Sequence, residues 1–290
     1  MDSTLLRLDG ADGVTLAADA YGSPDDPAVL LLHGGGQTRY AWGGAAGVLA
    51  SHGWYAVAID LRGHGDSDWS PDGVYNLDRF AADVGVLARR FQRPALVGAS
   101  LGGIASLAAI GEAKEPIASA LVLVDVTPRL EPDGVARISN FMRQGADGFD
   151  SLEEVADAVA SYLPHRRRPS DISGLRKNVR QGADGKWRWH WDPRFLNRIR
   201  ENPGEPTSGD FAPPDRLAND ARRVAVPTLL VRGGSSDVVS QEGVRELLEL
   251  IPHASVVDVA GAGHMVAGDR NDRFNDAVVT FLDNDVKPTL

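Results

Sequence analysis

Residues 95–109, "ALVGASLGGIASLAA", begin as a short apolar run, break at Gly98-Ala99-Ser100-Leu101-Gly102 and continue with the small residues of a helix. A serine at such a junction has two readings. As a helix N-cap it needs only a hydroxyl beside the first turn. As a nucleophile it sits in a strained turn so tight that side chains at the flanking positions would collide, which is the reason for Gly98 and Gly102. Which reading holds depends on the partners the rest of the chain supplies.

Working outward, "TLLRLDG" (4–10) and "VTLAADAYG" (14–22) alternate in polarity around a Gly/Asp turn and predict an antiparallel edge hairpin. The pattern then changes. "AVLLLHGG" (28–35), "WYAVAIDLRG" (54–63), "ALVGAS" (95–100), "ALVLVD" (120–125) and "PTLLVRGG" (227–234) are nearly continuous apolar runs. Such runs are the signature of strands buried on both faces of a parallel sheet. Between them lie helical patterns, such as Leu77 to Phe91 with Phe80, Val84, Leu87 and Phe91 at helical spacing, and a last helix is expected over Asp272 to Leu282. The expected class is α/β, a sheet with helices on both faces.

The alternation stops between Pro128 and Pro214, where "FDSLEEVADAVASYL" (149–163), several prolines and "GKWRWHWDPRF" (185–195) replace buried strands. A stretch of this length is too long for a plain loop. It predicts a mostly helical cap over 128–214, inserted into a core made of 1–127 and 215–290.

The chain has 290 residues, no cysteine and a formal net charge of -10. The missing cysteines exclude a thiol nucleophile or a thiolate metal site. The acidic balance argues against nucleic acid or an anionic membrane as partner. The one basic run, Arg166-Arg167-Arg168 before Pro169, reads as a solvated turn. The N-terminus lacks a basic region followed by an apolar stretch, and no apolar run approaches a membrane span, so a cytoplasmic location is expected.

Ligands of open parallel sheets bind at the carboxyl ends of the strands. Those ends read "HGGGQT" (33–38), "DLRGHGDSD" (60–68), "GASLGG" (98–103), "DVTPR" (125–129), "GGSSDVVS" (233–240) and "GAGHMV" (261–266). A serine hydroxyl needs a base to become nucleophilic near neutral pH. His264, on a Gly-rich loop just past the apolar run Ser255 to Val259, is the best placed of the seven histidines. The base needs a carboxylate to hold its tautomer. Asp237 is preferred, because it follows a buried strand and gives the chain order Ser, Asp, His; Asp125, which also tops a strand, is the alternative acid. For the developing oxyanion, the backbone N–H of Leu101 is one donor, and the second is expected from the glycines after the first buried strand.

Together these residues resemble the α/β-hydrolase superfamily over essentially the whole chain, nearest to bacterial single-domain esterases and to cofactor-free haloperoxidase-like and lactonase-like members. The resemblance implies an α/β-hydrolase fold, a mostly parallel eight-stranded sheet with the cap after the sixth strand. It implies Ser100 as nucleophile, His264 as base, Asp237 as acid and the N–H groups of Gly35 and Leu101 as oxyanion hole, with Gly36 able to share that role. His33 and His64 match structural positions of the family. A bulkier residue is common where Gly35 stands, which implies a roomier acyl side here.

The expected chemistry is acyl transfer on a small to medium apolar carboxylic ester or lactone, through an acyl-enzyme, with no metal or organic cofactor. The expected partner is that small molecule, with no nucleic acid and no membrane; nothing in the chain speaks to oligomeric state. A receptor or signalling module with slow turnover, a Ser-dependent carbon–carbon hydrolase and a perhydrolase share the same residues. Cap residues Phe141, Met142, Trp187, Trp189 and Trp191, with Gly36 and Trp42 beside the oxyanion loop, are the candidate pocket lining; the three alternating tryptophans read equally as cap packing.

Overall fold

A computed structural model of the chain describes residues 2–164, 166, 168, 170–196, 215–269 and 271–289. Every apolar run named above is a strand. They are β1 (Thr4–Asp9), β2 (Thr15–Tyr21), β3 (Ala28–Leu32), β4 (Tyr55–Ile59), β5 (Ala95–Ala99) and β6 (Ala120–Val124). After the inserted segment come β9 (Thr228–Gly233) and β10 (Ser255–Val259). The eight form one sheet in the order β1-β2-β4-β3-β5-β6-β9-β10. β1 and β2 pair antiparallel, β2 meets β4 antiparallel, and all other pairings are parallel.

The sheet is buried on both sides because its central strands carry apolar residues at every position. Leu30, Leu32, Leu96, Leu121, Leu123 and Leu230 point into one layer; Val29, Leu31, Val97, Val122, Val124 and Val231 point into the other. α2 (Leu77–Arg90) and α3 (Leu101–Glu112) cover the first layer, and α1 (Gly43–Ser51) and α8 (Asn271–Phe281) the second. In α2, Phe80, Val84 and Leu87 form the buried stripe, and the Asn76 side chain accepts from the Arg79 N–H to cap the helix.

Chain order reverses between β3 and β5: β4 lies on one side of β3 and β5 on the other. Connections leave such a point in opposite directions, so a crevice opens beyond the carboxyl ends of those two strands. Leu32 pairs with Gly98, and Ala99 with Val124, so the segments after β3, β5 and β6 emerge side by side.

Between β6 and β9 lie α4 (Pro132–Arg143), α5 (Leu152–Tyr162), the antiparallel pair β7 (Val179–Gln181) and β8 (Trp187–Trp189), and α6 (Arg216–Ala221), with α7 (Gln241–Leu250) following β9. The small antiparallel pair adds a β element to a segment expected to be mostly helical. It has its own apolar cluster, Phe149, Val155, Val179 and Trp187. The end of the expected cap, 197–214, and Arg167 and Pro169 of the basic run lie outside the described residues. Among the described residues, no helix is long and apolar enough to cross a membrane.

Candidate active site

Ser100 follows β5 directly and has φ 44° and ψ −110°. A non-glycine residue in that region is strained. The strain is held in place by backbone contact on both sides. A Cβ at Gly98 would lie 2.4 Å from the Gly102 carbonyl carbon, and one at Gly102 would lie 2.4 Å from the Leu32 carbonyl oxygen. Any side chain there would force β5, α3 and β3 apart. The Ser100 hydroxyl does not cap α3, which removes the simpler of its two readings. It faces a cavity of about 900 Å³ that is also lined by Gly35, Leu101 and His264.

His264 Nδ1 lies 2.7 Å from Asp125 Oδ2, with Asp125 fully buried and the imidazole 11 % exposed. The carboxylate that meets His264 is therefore that of Asp125, and the expectation that Asp237 would meet it is corrected. Asp125 directly follows β6, the strand next to β5, and its φ of 48° turns the chain there. Asp237 stands four residues beyond the end of β9, and its carboxylate goes instead to Arg137 of α4, at 2.7 Å. Asp125 also accepts from the Gly233 N–H at 2.8 Å and the Ser236 hydroxyl at 2.6 Å. With three donors, its charge is compensated without solvent. With Nδ1 held by this carboxylate, Nε2 is the ring nitrogen of His264 that can accept a proton.

The loop after β3 is fixed by two buried histidines. His33 donates Nδ1–H to the Gly34 carbonyl at 2.8 Å and accepts the Leu61 N–H on Nε2 at 3.0 Å. His64 donates to the Arg62 carbonyl and accepts the Gly36 N–H at 3.1 Å. Burial, the largest cause in each case, pushes His33 down to about 4 and His64 down to about 3; the neighbouring His33 adds to the shift of His64. Both rings are neutral at physiological pH, as their accepting nitrogens require. Gly36, whose N–H is taken by His64, is not an oxyanion donor. The N–H groups of Gly35 and Leu101 have no hydrogen-bond partner among the described residues. A Cβ at Gly35 would meet Phe195 at 3.6 Å, so the room left by the missing side chain is already bordered by that ring.

Of the expected pocket residues, Gly36, Trp42, Phe141, Met142 and Trp189 line the cavity, and Trp187 and Trp191 do not. Trp187 belongs to the apolar cluster of the inserted segment. Trp191 stacks behind Trp189, with ring centres 5.2 Å apart and planes within 7°, and its ring comes within 3.3 Å of where a Cβ on Gly36 would be. Phe141 stacks on Tyr162 at 4.2 Å, and burial pushes the Tyr162 phenol up to about 12, so this wall stays uncharged.

Two lining residues carry no signal that a motif search would detect. Gln37 accepts the Gly34 N–H on Oε1 at 3.0 Å, and its Nε2 lies 3.0 Å from the sulfur of Met265, tying the loop after β3 to the loop of His264. Arg166, expected in a solvated turn, is half-buried against the cavity and donates to the Met265 carbonyl at 3.3 Å.

The model of the alpha/beta hydrolase family matches residues 29–277. The chain is similar to an esterase of Mycobacterium tuberculosis, 33% identical over 252 residues, covering 84% of this chain and 78% of the relative. It is also similar to a 3-hydroxybutyrate-oligomer hydrolase of Cupriavidus necator, 28% identical over 260 residues and covering 86% of each. Among solved structures, that of E-2-(acetamidomethylene)succinate hydrolase superposes with a TM-score of 0.81 at 26% identity, covering 97% of this chain and 99% of the other.

Proposed function

Because the chain belongs to the alpha/beta hydrolase family, we propose that it is a serine hydrolase cleaving carboxylic esters, lactones included, through an acyl-enzyme on Ser100. The observation that carries this reading is the His264–Asp125 pair at 2.7 Å, facing the same cavity as a strained Ser100 and two unpartnered backbone N–H groups. His264 takes the Ser100 proton as the oxygen attacks the carbonyl carbon. Asp125 stabilises the imidazolium that forms. The N–H groups of Gly35 and Leu101 receive the oxyanion, each contributing about 10² to 10³ in rate. The imidazolium then protonates the leaving alcohol, and water repeats the sequence on the acyl-enzyme. The relatives named above, an esterase and a hydrolase of hydroxybutyrate oligomers, fit this chemistry.

The cavity supports a mainly apolar substrate. Phe141, Met142, Tyr162 and Trp189 offer ring faces and a flexible thioether rather than charge. A volume of about 900 Å³ is at the upper end of pockets that enclose drug-sized molecules, larger than a short-chain ester fills.

The test is steady-state release of p-nitrophenol from acetate, octanoate and benzoate esters by the purified chain and by its Ser100→Ala variant. Sustained turnover that the variant loses, with octanoate or benzoate preferred to acetate, is the expected result. A single burst, or turnover indifferent to Ser100, overturns the reading.

A further inference from the structure

The loop after β9 places a hydroxyl where its carboxylate was expected. Ser236 Oγ accepts the N–H groups of Val238 at 3.1 Å and Val239 at 3.2 Å. Those two donors occupy its lone pairs, so its one proton is directed to Asp125 Oδ2, 2.6 Å away. The same oxygen of Asp125 receives His264 Nδ1–H, while Oδ1 receives the Gly233 N–H. The serine is itself anchored, since its N–H donates to the Gly233 carbonyl at 2.9 Å. The hydroxyl cannot turn away without leaving two backbone donors unpaired.

We infer that Ser236 is a positioning residue of the hydrolytic machinery, a fourth member that orients Asp125 and shares its charge with His264. The inference rests on the reading of Ser100, His264 and Asp125 given above. A rigid donor on Oδ2 does two things. It restricts rotation of the carboxylate about its own axis, which keeps the imidazole aligned toward Ser100. It also moderates the carboxylate's basicity, so the imidazolium is stabilised without being trapped. Ser100 lies on the nucleophile side, the Arg166 guanidinium donates to the Met265 carbonyl next to the base, and Asp237 points away to Arg137.

Removing the hydroxyl takes one of its three donors from Asp125 and frees the carboxylate to turn away from the imidazole. In Ser236→Ala, kcat is expected to fall about tenfold, the transmitted part of a hydrogen bond to a charged group, with KM nearly unchanged. The acid limb of the kcat/KM profile should move by about half a pH unit or more. Ser236→Thr, which keeps the hydroxyl, should restore both. If Ser236→Ala does not fold, Ser236→Cys, whose thiol is a poor donor, carries the same expectation. The His264 imidazole is titrated by NMR in the same variants, so the result does not depend on turnover. Wild-type protein without Ser100-dependent turnover sinks the hydrolase reading alone. A folded Ala or Cys variant with wild-type kcat, an unmoved acid limb and an unmoved His264 titration overturns the role of Ser236.

Discussion

The backbone N–H of Gly36 donates to Nε2 of His64 at 3.1 Å. This bond removes Gly36 from the donors open to a substrate and makes a fully buried neutral ring part of the support of the loop after β3. The ring is in edge contact with His33, at 5.2 Å between centres, and His33 holds the neighbouring Gly34 carbonyl.

Stability should therefore fall on acidification. His33 and His64 have folded-state pKa values depressed by burial to about 4 and about 3, against an ordinary value near 6.5. Between those limits the unfolded chain binds more protons than the folded one. The stabilisation is complete above about pH 6.5 and is lost as pH falls toward 4 and 3, at up to about 1.4 kcal/mol per pH unit for each ring. Urea midpoints should be nearly level from pH 7.5 to about 6.5 and fall from there to pH 4.5. His64→Gln should show a shallower drop; an identical slope would show that this ring is not the group titrating.

The two carboxylates should separate cleanly in kinetics. Asp125→Asn removes the charge on His264 Nδ1 and presents the wrong hydrogen-bonding group to the ring, so kcat should fall by roughly 10³ to 10⁴. Asp237→Asn breaks only a half-exposed ion pair with Arg137, worth up to about 1 kcal/mol, and should leave kcat within about threefold of wild type. The opposite ranking on p-nitrophenyl octanoate would return the acid role to Asp237.

Gly98→Ala should be among the most damaging single substitutions in the chain. Its Cβ would sit 2.4 Å from the backbone of both Gly102 and Gly103, where no side chain can yield. A loss at or beyond the upper end of the ~1–3 kcal/mol typical of overpacking is expected, read as a large drop in Tm or failure to fold. Gly35→Ala, which meets Phe195 at an ordinary 3.6 Å, should fold normally and alter acyl-chain preference instead.

Trp189→Ala and Trp187→Ala should differ in kind. Trp189 lines the cavity, so its loss should raise KM for bulky esters with modest effect on acetate. Trp187 is 8 % exposed and packs with Phe149, Val155 and Val179. Its loss should cost about 3–5 kcal/mol locally, visible as protease sensitivity of the inserted segment, with KM of any intact enzyme unchanged.

What was legible in the sequence was set by local constraint. The short, nearly continuous apolar runs bounded by turn residues read as strands covered on both faces, and each became a strand of the sheet; the run Ser255–Val259 is β10 residue for residue, at the sheet edge. The strained turn at Ser100 shows in Gly98 because the clash that glycine avoids, with Gly102 and Gly103, lies within five residues, whereas the clash Gly102 avoids is with Leu32 of the neighbouring strand. By contrast, Asp125 and Asp237 are equivalent as letters, each an aspartate just past a buried strand. Which of them meets His264 depends on the adjacency of β6 to β5, on a backbone turn at Asp125 and on Arg137, a residue 100 positions before Asp237 that draws its carboxylate elsewhere. The three tryptophans show the same division. Their alternation has the period of a strand, and Trp187 and Trp189 lie in β8, but their fates follow from what faces them: an apolar cluster for Trp187, the cavity for Trp189, and the neighbourhood of Gly36 for Trp191. Backbone strain and burial pattern are properties of neighbours in the chain and can be read there. The partner of a charge or a ring is chosen by distance in space, and only the assembled sheet brings Asp125, Ser236 and His264 together.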